Sequence, residues 1–267
     1  MKPKLTLHFA HANGFPAASY KKLFSQIDDQ IDIIAIDKFA HDPRFPPNNH
    51  WQNQVDELIN FIQASSNQPV IGVGHSFGAV ITYIASCQKP ELFSSIILLD
   101  PPLVTGFSKY LFRMAKRSPF INKITPAGKT ANRKREWPIE ANLYEYFSSR
   151  ALFQNMDKDC IHDYIDAVIH EAPPIKRLTF DPNIECQIFR TIPDNLNNYY
   201  GKLKVPAKLV TGKYTQVCVD KLRTPFLKGN PTMEHLPLNY GGHMFPLEQP
   251  LKIADCINST LKSWEII

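Results

Sequence analysis

What this chain of 267 residues lacks narrows its class before any motif is considered. It has no run of about 18 apolar residues, so no segment is expected to cross a membrane as a helix. Its five cysteines, Cys87, Cys160, Cys186, Cys218 and Cys256, are odd in number, widely spaced and without C-x-x-C. That usage argues against a disulfide frame or a zinc site and fits a reducing cytoplasm. There is no phosphate-binding P-loop, no Rossmann glycine fingerprint and no metal-ligand cluster, so no cofactor or metal is expected. The opening MKPKLTLHFAHANG puts basic residues before an apolar stretch. That stretch is short, is interrupted by His8 and has no small-residue cleavage site, so it reads as a strand and not a signal peptide. No nucleic-acid or membrane partner is expected, and the oligomeric state is left open.

What is present is an ordinary globular composition, 43% hydrophobic and 21% charged, long enough to bury a substantial core. Leu5 to Phe9, Ile31 to Asp37, the run after Pro69, Ser95 to Leu99, the AKLVTG stretch after Pro206 and Thr232 to Leu238 read as strands. Helix-like stretches begin near Ser19, His50, Phe77, Val217 and Pro246. In the second of these, Trp51, Val55, Leu58, Ile59 and Ile62 recur at helical spacing, and core packing accounts for them. Alternating strands and helices predict an α/β fold with a mostly parallel sheet of about six strands covered on both faces. Reactive loops then gather at the carboxyl ends of the strands.

The centre of the pattern is VIGVGHSFGAVITY, Val70 to Tyr83, which holds the pentapeptide Gly74-His75-Ser76-Phe77-Gly78. A buried strand, G-x-S-x-G and a helix in succession put a serine on a sharp strained turn with its hydroxyl exposed, so Ser76 is the candidate nucleophile. The bland alternative is a glycine-rich βα loop or phosphate cradle. Taken with HFAHANGFPA near the start and GGHMFPLEQP near the end, in that order, the chain resembles an α/β-hydrolase. The resemblance implies that His243 is the general base and that Phe77, with Ala12 or Asn13, supplies the backbone donors of an oxyanion hole. His8 and His11 otherwise read as satisfied packing histidines.

The resemblance also implies that residues 101–200, where the βα rhythm breaks, form a helical lid inserted into a core made of residues 1–100 and 201–267. The lid segment shows helix-like stretches separated by prolines and no strong strand alternation. Its aromatics, among them Phe107, Tyr110, Phe147 and Phe153, pack the lid together or line an apolar acyl pocket. Between Pro101 and Arg135 lie nine Lys or Arg and no Asp or Glu. The whole chain carries +5, so the remainder is net −4 and basic charge is concentrated here. A solvated face is the plainer reading; attraction of an anionic substrate is the sharper one.

The pattern departs from the family at the triad acid. Relatives place an Asp after the fifth strand as G-x-x-D, where this chain has Gly212-Lys213-Tyr214-Thr215. Asp100, at the end of the preceding strand, is the leading replacement and Asp220 the second; having no working acid is the third possibility. A serine nucleophile disfavours the dehalogenases and epoxide hydrolases of this fold, which attack with aspartate. The expected function is hydrolysis of a small or medium ester, thioester or related acyl substrate. The alternatives are carbon–carbon bond hydrolysis or lyase chemistry on the same scaffold, and a non-catalytic sensor that keeps the fold.

Overall fold

The computed structural model describes residues 4–267, so Met1, Lys2 and Pro3 of the basic opening lie outside the described residues. In chain order the strands are β1 (Leu5–Ala10), β2 (Ile31–Ile34), β3 (Val70–His75), β4 (Phe93–Leu99), β5 (Glu136–Pro138), β6 (Ile169–Ala172), β7 (Ile175–Leu178), β8 (Ala207–Thr211) and β9 (Met233–Pro237). Six of them form one sheet in the order β2-β1-β3-β4-β8-β9, and every pairing in it is parallel. This is the parallel six-stranded α/β architecture expected from the sequence.

The apolar runs become central strands because both faces of the sheet are covered. Along β4, Ile96 and Leu98 enter the apolar cluster on one face, and Ile97 and Leu99 enter the cluster on the other. The helix Gln52–Ser65 covers the first face with Val55, Leu58, Ile59 and Ile62, and Trp51 just ahead of it is buried too. The helix Pro250–Ser263 covers the second with Ile253, Ile257 and Leu261.

Strand order reverses direction between β1 and β3, since β2 lies outside β1 and the later strands lie beyond β3. A crevice opens at the carboxyl ends of the strands at such a switch point. The loop after β1 and the serine turn after β3 both emerge there.

The insertion between β4 and β8 differs from expectation. It has helices at Ser108–Ala115, Lys158–Val168 and Pro182–Arg190, but it also contains an antiparallel sheet in the order β5-β7-β6. Strands of three or four residues are too short to display a period of two. Of β5 only Trp137 is buried, which leaves no alternation to read.

Candidate active site

Ser76 lies at φ 55°, ψ −116°, a conformation that costs a non-glycine residue free energy and that the surrounding packing must hold in place. The turn closes only because its flanks are glycine. A Cβ on Gly74 would strike the Gly78 carbonyl, and one on Gly78 would strike the carbonyls of Ala10 and His11. The second approach presses the loop after β1 against the serine turn. From Ile71 to Val80 every residue except Ser76 is buried, so the hydroxyl alone reaches the crevice.

His243 is delivered to Ser76 by a loop held at several points. Gly242 N–H donates to Glu248 Oε2 at 2.8 Å, and the Gly241 carbonyl accepts from Tyr214 N–H at 2.9 Å. Gly241 has φ 77°, the left-handed conformation glycine adopts without strain. His243 Nε2 lies 2.9 Å from Ser76 Oγ, and Nδ1 lies 2.7 Å from Asp100 Oδ2. Asp100 itself is buried, with φ 48° at the end of β4, and its N–H donates to the Val210 carbonyl of β8.

Thr215, in the position where the motif lacks its acid, donates its hydroxyl to Asp100 Oδ2 at 2.6 Å. Thr215 Oγ1 accepts from the N–H groups of Val217 and Cys218, which fixes the direction of its own proton. One carboxylate oxygen therefore meets the imidazole and the threonine together. Asp220, the second candidate, is on the surface with its side chain 86% exposed and paired with Arg223. The structure brings Ser76, His243 and Asp100 into one hydrogen-bonded chain and leaves Asp220 out.

The two expected donors in the loop after β1 separate clearly. Ala12 N–H is already bonded to the Tyr20 hydroxyl at 3.3 Å, so Ala12 is not available as an oxyanion donor. No hydrogen bond within the protein engages the N–H of Asn13 or of Phe77 among the described residues. Phe77 N–H begins the helix Phe77–Gln88 and has no intrahelical acceptor. The Asn13 side chain is anchored away from the crevice, donating to the Glu185 carbonyl at 2.9 Å.

His75 and Tyr20 are bonded to this arrangement although the motifs did not single them out. His75 Nε2 lies 2.9 Å from the His243 carbonyl, which can only accept, so this nitrogen carries the proton. Its Nδ1 then accepts from the Tyr20 hydroxyl at 2.8 Å. Burial, reinforced by the nearby His243, pushes the His75 pKa down to about 3 and keeps that ring neutral. A directed chain thus runs from Ala12 N–H through Tyr20 and His75 to the backbone of His243. His75 occupies the variable position of G-x-S-x-G, which is the one signal the sequence offered.

His11 is a packing histidine with both nitrogens used: Nδ1 donates to the Ala12 carbonyl and Nε2 accepts from Phe39 N–H. His8 is not the satisfied histidine expected, because neither ring nitrogen finds a partner between the rings of Phe39 and Phe61. Burial holds both below the ordinary histidine value, His8 at about 3 and His11 at about 4. Among the described residues no group of three His, Cys, Asp or Glu could hold a metal ion.

Comparison with known proteins agrees with this architecture. The model of the alpha/beta hydrolase family matches residues 9–255. Uncharacterized hydrolase YugF of Bacillus subtilis (strain 168) is 33% identical over 276 residues, covering 96% of this chain and 90% of that protein. Type I acyl-CoA thioesterase mpaH' of Penicillium brevicompactum is 23% identical over 250 residues, covering 85% of this chain and 52% of that protein. The chain thus spans about half the length of the acyl-CoA thioesterases it matches. Among solved structures, E-2-(acetamidomethylene)succinate hydrolase superposes with TM-score 0.79 at 18% identity, over 97% of this chain and 91% of that one. With a family model spanning nearly its whole length and a relative of similar size at 33% identity, this chain belongs to the alpha/beta hydrolase family.

Proposed function

We propose that the protein cleaves a small or medium ester or thioester through a Ser76–His243–Asp100 triad and an acyl-enzyme. The observation that carries this reading is the unbroken chain of contacts: 2.9 Å from Ser76 Oγ to His243 Nε2 and 2.7 Å from His243 Nδ1 to Asp100 Oδ2. Ser76 Oγ attacks the acyl carbonyl while His243 Nε2 takes its proton, and the imidazolium is stabilised by the buried Asp100 carboxylate. The N–H groups of Asn13 and Phe77 receive the charge that develops on the carbonyl oxygen. His243 returns the proton to the departing alkoxide or thiolate. Water, deprotonated by the same imidazole, then attacks the acyl group and releases the acid with Ser76 restored.

An acid within hydrogen-bond distance of the imidazole supports this reading over a non-catalytic sensor. Thr215 supports it too, because its hydroxyl donates to the Asp100 oxygen that faces the imidazole and so holds that carboxylate in place. The acyl-CoA thioesterases among the relatives make a thioester a fitting substrate. The insertion, residues 101–200, acts as the lid over the crevice: its Glu185 carbonyl holds Asn13, and the Glu185 carboxylate lies against Gly14 of the same loop.

Release of p-nitrophenolate from a short-chain p-nitrophenyl ester tests the proposal. The protein should turn it over, and Ser76→Ala should lower kcat by about 10⁶, the loss seen when such a nucleophile is removed. Undiminished turnover by Ser76→Ala would rule out the acyl-enzyme.

A further inference from the structure

The insertion carries apolar side chains on its outside as well as its inside. Of ten large apolar side chains exposed in the described residues, six lie between 107 and 124: Phe107, Tyr110, Leu111, Met114, Phe120 and Ile124. The concentration is not scatter, because the first four stand at i, i+3, i+4 and i+7 along the helix Ser108–Ala115 and share one face. Phe107 is 74% exposed and Met114 70%. Phe112, on the other side of the helix, packs against the core, and Ala115 at the border of the stripe is buried. This amphipathic helix already has its inner packing, and a second apolar stripe faces outward. Such a patch marks an interaction surface.

The charge around the stripe selects its partner. Between Pro101 and Arg135 the chain carries nine basic residues and no acid, and Arg117, Lys123 and Lys129 have no acidic partner among the described residues. Beside the stripe a cleft of about 440 Å³ is lined by Arg113, Lys116, Arg117, Arg190 and His50. One acid lies in it, Asp194, which is buried and bonded to Arg113 at 2.8 Å and Lys116 at 3.0 Å. One carboxylate among four cations leaves the cleft strongly positive. An apolar stripe with a basic flank and a basic cleft matches a layer that is apolar beneath an anionic surface.

We infer that the outer face of the helix Ser108–Ala115, with the Arg113–Lys116–Arg117–Arg190 cleft beside it, docks the insertion onto an anionic lipid bilayer. The stripe enters the boundary between headgroups and acyl chains, and the cleft receives lipid phosphate. No helix among the described residues is long and apolar enough to cross a membrane, so the contact is peripheral. The inference departs from the sequence expectation of no membrane partner. A second copy of the chain could cover an apolar stripe, but both copies would bring the same positive charge to the contact.

Co-sedimentation of the full chain with vesicles tests this. The protein should pellet with phosphatidylcholine vesicles containing phosphatidylglycerol, stay in solution with pure phosphatidylcholine, and be released as salt is raised. Leu111→Glu with Met114→Glu should abolish pelleting while a soluble ester is still hydrolysed. Arg117→Gln with Arg190→Gln should weaken partitioning by about 30-fold, at roughly fivefold per basic side chain near an anionic leaflet. If the apolar variant fails to fold, the charge variant and the salt series still decide the matter. Failure of the native protein to pellet with anionic vesicles overturns the inference, as does unchanged binding by either variant. A native dimer that Leu111→Glu with Met114→Glu splits, with no vesicle binding, would give the stripe to a second copy and would equally overturn it.

Discussion

At the scale of single residues, the proposed chemistry rests on one carboxylate in an unusual place. Asp100 reaches His243 from the end of β4, and Thr215, where the acid would otherwise stand, supports it instead. Asp100→Asn keeps the shape but leaves the imidazole in the wrong tautomer and its cation unsupported. Ester turnover by Asp100→Asn should fall by about 10⁴ in kcat with the melting temperature little changed. Asp220→Asn, altering an exposed side chain, should leave kcat within a factor of two or so of the native value. Steady-state kinetics on the two variants compares these directly, and the reverse ranking would assign the acid to Asp220.

That Ser76, His243 and Asp100 come together was legible because each stands in or beside a short motif whose spacing has a mechanical reason. Tyr20 and His75 were not. Their roles depend on a hydrogen bond across 55 residues of chain, and nothing local to Tyr20 announces it. The choice between Ala12 and Asn13 was hidden for the same reason, since a distant hydroxyl occupies the Ala12 amide.

At the scale of elements, the strand-to-helix turn and the loop after β1 form one unit, because Gly78 lets their backbones touch. Gly78→Ala would drive a methyl into the Ala10 and His11 carbonyls, which are fixed by β1 and cannot move like a side chain. A loss of about 3 kcal/mol or more is expected from this overpacking, measured by urea unfolding. Loss below 0.5 kcal/mol would show that the loop after β1 is not pinned as described. The central strands β1, β3, β4 and β8 were readable from their apolar runs, since burial on both faces removes the need for alternation. The small β5-β7-β6 sheet was not readable, because three or four residues carry no period and their pairing is set by the insertion as a whole.

At the scale of the whole molecule, three neutral histidines are built into the interior. His8, His11 and His75 titrate at about 3 to 4 in the folded protein, against 6.5 in a free side chain, because burial disfavours their charged forms. Above pH 6.5 both folded and unfolded chains hold them neutral and there is no penalty. As pH falls below 6.5 the unfolded chain takes up protons first, so stability is lost progressively toward the folded-state values. At pH 5 the loss is about 2 kcal/mol for each ring. Glu57 acts in the opposite sense: its carboxyl is raised to about 7 by burial, which offsets part of the loss between pH 7 and 4.5. Three groups outweigh one, so the melting temperature should fall between pH 7 and pH 5. A melting temperature that is flat or rises over that interval would mean that these rings take up protons in the fold and find acceptors for them there.

The central claim is that Ser76 is a nucleophile activated by His243 and Asp100. Intact-mass measurement after exposure to a fluorophosphonate probe tests it most directly, because only an activated hydroxyl forms the phosphonyl ester at a useful rate. The account predicts a single adduct on the native protein, located at Ser76, and none on Ser76→Ala. An adduct that persists on Ser76→Ala, or a native protein that takes up none, would contradict it.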